Sequence, residues 1–105
     1  MKELSPRKAA EVAILAREIE RAEPEFRGLV EAMTEDEQAE LVALMWIGRG
    51  AFEAEDYAEA VATARAEASA PTADYLLGSP HLPDHIEAGL EALGYSATGE
   101  EDELL

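Results

Sequence analysis

Apolar positions recur at helical spacing along most of this chain, but Leu41 to Ile47 breaks the pattern with seven apolar residues in a row. On a 3.6-residue helix such a run covers every face, and a helix hydrophobic all round belongs inside a protein or a membrane. A bilayer needs roughly 20 residues. The run therefore predicts a buried central helix over about residues 35–48, with Trp46 its largest packing element. Ahead of it, Thr34-Glu35-Asp36-Glu37 reads as a capping box, with three acids at the positive end of the helix dipole. Behind it, Gly48-Arg49-Gly50 reads as the terminating turn, in which a glycine takes the left-handed conformation.

The other elements are predicted around this one. Ser5-Pro6 starts a helix running to about Ala22, with Ala9, Val12, Leu15, Ala16 and Ile19 as its inner stripe and Ile14 off it. Pro24 opens a second, short helix with Phe26, Leu29, Val30 and Met33 at i, i+3, i+4 and i+7. Phe52 is expected to fold back on the core, before a helix from Glu53 to about Ala68 whose inner face is Tyr57, Val61, Ala64 and Ala68. Thr72 to Leu77 gives one or two turns with Tyr75, Leu76 and Leu77 inward. Ser79-Pro80, or alternatively Pro83, restarts the chain into a last helix with Leu82, Ile86, Leu90 and Leu93 on one side and Gly94 as terminator. Gly89 shares that side, which marks it as a crossing point where another backbone needs the space. No strand alternation or internal repeat is present. The predicted fold is all-α, a compact bundle of about five helices in one domain, 1–94, followed by an acidic, disordered tail, 95–105.

Composition adds charge to this picture. Of 105 residues, 24 are acidic and eight basic, a formal net charge of −16. Residues 1–27 hold six bases and six acids, so the whole excess falls on 28–105, where Arg49 and Arg65 face eighteen acids. Such a surface repels phosphate backbones and anionic lipids, which argues against direct nucleic-acid or membrane binding and favours a basic protein partner. Cysteine is absent, which removes disulfides, thiolate metal sites and thiol nucleophiles. The N-terminal stretch lacks the apolar core of a signal peptide, so the expected compartment is the cytoplasm.

Candidate chemistry is sparse. His81 and His85, four apart, could share a metal ion with Asp84, but Pro83 between them suits a first helical turn and leaves His81 ahead of the helix. Both imidazoles otherwise read as structural or exposed. Arg7 and Lys8 oppose the dipole of the first helix; they pair with acids elsewhere in the chain, or else meet an anion at that helix end. Glu55, Asp56 and Glu59 cluster at a helix start, where the dipole accounts for them as a solvated acidic face. No serine lies in a GxSxG elbow, and Gly48 to Gly50 follows a helix rather than a strand, unlike a phosphate loop. Trp46, Tyr57 and Tyr75 could line a ligand pocket, but at helical spacing they read first as core.

LVALMWIGRG, then Phe52 and Asp56-Tyr57, then PTADYLLGSPHLPDHIEAGLEALG, resembles over residues 26–94 a family of small bacterial proteins catalogued as a domain of unknown function. The resemblance implies a compact helical protein and carries no activity, cofactor or catalytic set with it. The functional expectation is a non-enzymatic acidic module that, through its acidic surface or an apolar groove, binds a protein partner, or self-associates as a homodimer. Arg49, Glu55, Asp56 and Glu59 form its candidate interaction surface, and no cofactor is expected. The alternatives are a small metal-dependent enzyme using His81, His85 and Asp84, and a nucleic-acid mimic.

Overall fold

Ser5 caps the first helix as its sequence position suggests: its Oγ accepts the Lys8 N–H at 3.0 Å, and Pro6 occupies the first turn. In the computed structural model, which describes residues 1–96, 99 and 101, this helix, α1, spans Pro6–Arg17. It ends before the predicted Ala22 because Glu18 leaves helical geometry (φ −106°, ψ 28°), its N–H turning back to the Leu15 carbonyl. Helix α2, Ile19–Glu31, departs again at Ala22 (φ −114°, ψ 15°). Pro24, two residues on, has no N–H to give and its ring crowds the carbonyl four residues back, so the regular part of α2 begins there as predicted. The inner face of α1 is also shifted. Ala9, Ala10, Val12 and Ala13 are buried, whereas Leu15, Ala16 and Ile19 are half-buried, because α1 packs against both α2 and α6.

The central helix, α3, spans Glu35–Gly48 and buries every residue from Ala39 to Ile47. Its capping box is complete: Thr34 Oγ1 accepts the Glu37 N–H at 3.1 Å, and a Glu37 carboxylate oxygen accepts the Thr34 N–H at 3.0 Å. Gly50 (φ +86°) is the left-handed residue that ends it, with Gly50 N–H to Ile47 O and Ala51 N–H to Trp46 O. Gly48 is not part of the turn but the last residue of the helix.

A single 3-10 turn, Ala54–Asp56, precedes α4, Tyr57–Ala66. The predicted inner face of α4 is corrected: Ala60 and Ala64 are buried, Tyr57 and Val61 half-buried, and Ala68 lies exposed beyond the helix end. Helix α5, Thr72–Leu77, turns Ala73 and Leu76 inward at i, i+3, leaving Leu77 half-buried and Tyr75 exposed, so the inward trio expected there is also corrected. Helix α6, Leu82–Ala92, takes Pro83 in its first turn and His81 as a left-handed N-cap residue (φ 58°). Six α-helices and one 3-10 turn thus make up the elements assigned among the described residues.

α3 packs most extensively on α6, then on α4, and α6 continues onto α1. Two glycines set the α3–α6 crossing. A Cβ on Gly89 would fall far inside contact distance of the Leu44 carbonyl oxygen and 3.1 Å from its carbon; one on Gly48 would lie 2.7 Å from the His85 carbonyl carbon. The two backbones therefore touch, each glycine against the other helix. Gly94 (φ +91°) ends α6, and Tyr95, whose N–H reaches Leu90 O, packs against the core rather than leaving it as tail. Residues 97, 98, 100 and 102–105 of the predicted tail lie outside the described residues.

Candidate binding groove

A helix that is apolar all round needs cover on every side, and the cover of α3 is thinnest on the side that faces α5. α6 and α4 flank it, while the short α5 meets it only lightly. Ala39, Val42 and Trp46, spaced to share a face, are 6%, 8% and 8% exposed where Leu41, Ala43, Leu44 and Met45 are at 0%; Ile47, outside the groove, is 6% exposed. With Ala64 of α4, the stripe Ala39, Val42 and Trp46 forms the floor of a groove of about 660 Å³. Alanine at both 39 and 64 holds that floor low between the two helices. The rim is charged: Glu35, Asp36 and Glu67 stand on it with one base, Arg65, which is ion-paired to Asp36 across the opening. Both partners of that pair are exposed, and pairs of this kind hold weakly.

The α5 wall is fixed by side-chain hydrogen bonds. Trp46 Nε1 donates to the Tyr75 hydroxyl at 2.9 Å, while Phe52 stacks on the indole with centroids 5.7 Å apart. Thr72 Oγ1 donates to Gln38 Oε1 at 2.9 Å, and Gln38 Nε2 donates to the carbonyls of Val30 and Met33 at 3.0 and 3.2 Å, so one amide ties the end of α2 to α3 and α5. Tyr75 is therefore exposed for a reason: its hydroxyl satisfies a buried indole N–H while its ring forms part of the groove.

Sequence reasoning missed Glu40, the one buried charged residue among those described, at 4% exposed. One carboxylate oxygen accepts the Lys2 N–H at 2.8 Å and the Tyr57 hydroxyl at 2.9 Å, and the other accepts the Glu3 N–H at 2.7 Å. Beside these donors Leu4 inserts into the core at 2% exposed. Burial, followed by the hydrogen bond to Glu40, drives the Tyr57 hydroxyl pKa well above its ordinary value, so it remains a donor. This carboxylate is occupied by main-chain and phenol donors and acts as a latch. Its signal in the sequence was its position, a lone acid leading a wholly apolar run.

A family model described as Protein of unknown function (DUF3775) matches residues 23–95. The chain belongs to that family. Neither the search of curated proteins nor that of solved structures found a match. The DUF3775 span runs from the regular part of α2 through α6 and contains the whole groove, whereas α1 and the latched residues 1–4 precede it.

Most of the sequence-predicted site residues also fall within the DUF3775 span, but the structure does not gather them. His81 and His85 lie edge to face with centroids 6.2 Å apart, and His85 Nδ1 is buried without a hydrogen-bond partner among the described residues. Asp84 is exposed and pairs with Arg17 at 3.4 Å, which also pairs with Glu87. Among the described residues no three His, Asp or Glu side chains converge as a metal set. Glu55, Asp56 and Glu59 are exposed around the start of α4, and Arg49 is exposed at the end of α3. Of the two bases in the first turn of α1, Lys8 pairs with Glu37 at 2.9 Å, joining that turn to the capping box of α3, and Arg7 points to solvent. No described helix is long and apolar enough to cross a membrane.

Proposed function

We propose that this protein is a non-enzymatic, cytoplasmic binding module whose acidic exterior recruits a basic protein partner. The single observation that carries the reading is where the central helix surfaces: the two most accessible residues of its apolar run, Val42 and Trp46, face a groove whose rim is predominantly acidic. An apolar strip offers burial to a partner, and the acidic rim selects the sign of the charge that approaches it. Glu53, Glu55, Asp56 and Glu59, exposed and without ion-pair partners among the described residues, extend the same sign along α4 and the turn before it. Capture of the tagged full chain from its host, eluted with a salt gradient, tests this. Basic proteins released by moderate NaCl are the expected result. Retention of acidic proteins only, or of none at low salt, refutes it.

A further inference from the structure

We infer that the α3–α4–α5 groove is the docking site, and that its occupant is a short segment of a partner protein carrying arginine or lysine beside one apolar anchor. This rests on the reading above and adds the place and the chemistry. Three observations fix the occupant. The floor is apolar and low, with Val42 and Trp46 accessible from the opening, so a single aliphatic or aromatic side chain gains burial there. The rim carries three acids and one base, so the flanking groups are cations. Asp36 is already held by a guanidinium, that of Arg65, through one Nη2–Oδ1 contact; an incoming arginine takes over that carboxylate as a charge-assisted pair. From Ala39 to Trp46 the floor is about 10 Å long, the reach of about three extended residues.

Charge also decides against the other occupants. A second copy of this chain carries the same −16, so net repulsion opposes its approach, and the residues after Tyr95 include the run Glu100-Glu101-Asp102-Glu103, which would bring acids to an acidic rim.

Trp46 is the only tryptophan in the chain, so intrinsic fluorescence reports from the floor of the site. The full-length protein is titrated with a short synthetic peptide alternating arginine and leucine, with an arginine–serine and a glutamate–leucine version as comparisons. The expected result is a saturable change in Trp46 emission for arginine–leucine only. Ala68→Phe, at an exposed groove-lining position where added bulk leaves the core alone, weakens binding on the order of tenfold. Asp36→Asn also weakens it, and Glu25→Gln, exposed on α2 and outside the groove lining, leaves it nearly unchanged. If calorimetry shows salt-sensitive peptide binding while Trp46 stays silent and Ala68→Phe binds as well as the parent, the groove assignment fails and the acidic-module reading survives. If no basic peptide binds at low salt, both fail. A dimer by light scattering that Ala68→Phe disperses, or a change in Trp46 emission on removing residues 97–105, also overturns the proposed occupant.

Discussion

Gly89→Ala and Gly28→Ala are the same chemical change inside helices, and they should move stability in opposite directions. Intrinsic propensity favours alanine in a helix interior by about 1 kcal/mol, and at Gly28 nothing lies within 4 Å of the new methyl. Gly28→Ala should therefore stabilise by about 0.5–1 kcal/mol, or roughly 3–6 °C in Tm. At Gly89 the methyl meets the Leu44 main chain, which cannot rotate away. Relieving the overlap requires α3 and α6 to part by about 1 Å, a gap that forfeits a quarter to a half of each dispersion contact across it. That interface is the most extensive in the fold and includes Leu44, Ile86 and Leu90, all fully buried. Overpacking of this kind costs about 1–3 kcal/mol or more. Because the added methyl meets backbone, a net loss of about 2–3 kcal/mol is expected after the propensity gain, roughly 10–20 °C in Tm. Thermal melts by circular dichroism, with urea titrations for free energy, measure both variants. A Gly89→Ala protein as stable as the parent would refute the backbone contact on which the crossing rests.

Glu40→Gln keeps the shape of the latch but turns one acceptor into a donor facing donors, and should cost about 2–3 kcal/mol by urea unfolding; Tyr57→Phe should cost about 1 kcal/mol. The Glu37 carboxyl is held below its ordinary 4.5 first by Lys8 and then by the Thr34 N–H. Its contribution is complete above that value and disappears as pH falls through the lowered folded pKa, so Lys8→Ala should raise the Glu37 midpoint in a carboxyl NMR titration. Tyr57 runs the other way. Its raised pKa contributes stability below the ordinary 10.0 that is lost as pH climbs past it, and Tyr57→Phe should flatten that alkaline loss in pH-dependent melts. Raising NaCl from about 0.05 to about 0.5 M should increase Tm by screening repulsion among the excess acids, and an unchanged or lower Tm would mean that local pairing dominates.

Much of the fold was legible because it is written in local chemistry. The capping box at Thr34, the start at Ser5-Pro6, the terminator Gly94 and the burial of residues 41–47 each follow from residues within one turn of each other. Gly89 was readable as a crossing because a glycine on an apolar face has one economical explanation. Its counterpart Gly48 was hidden by Arg49-Gly50, which looks like a turn with either glycine as its pivot. The break at Glu18 leaves no mark in the sequence, since α1 has to turn there to reach both α2 and α6. An apolar groove, and Trp46 and Tyr75 as pocket lining, were among the readings the sequence allowed, but the groove's place was not legible: the length of α5 and the outward turn of Tyr75 decide which stripe of α3 is least covered, and both are tertiary outcomes. The acids at 55, 56 and 59 were visible from composition, but the rim acids Glu35 and Asp36 were read as dipole partners and Glu67 was not singled out.

Glu40 grips the start of the chain by the amide hydrogens of Lys2 and Glu3, not by their side chains. The grip is therefore indifferent to which residues stand at those positions, with one exception: proline, which has no amide hydrogen to offer. Extensions fused ahead of Met1 leave both donors in place. A stretch of chain that varies freely among homologues while excluding proline would be the evolutionary trace of this hold.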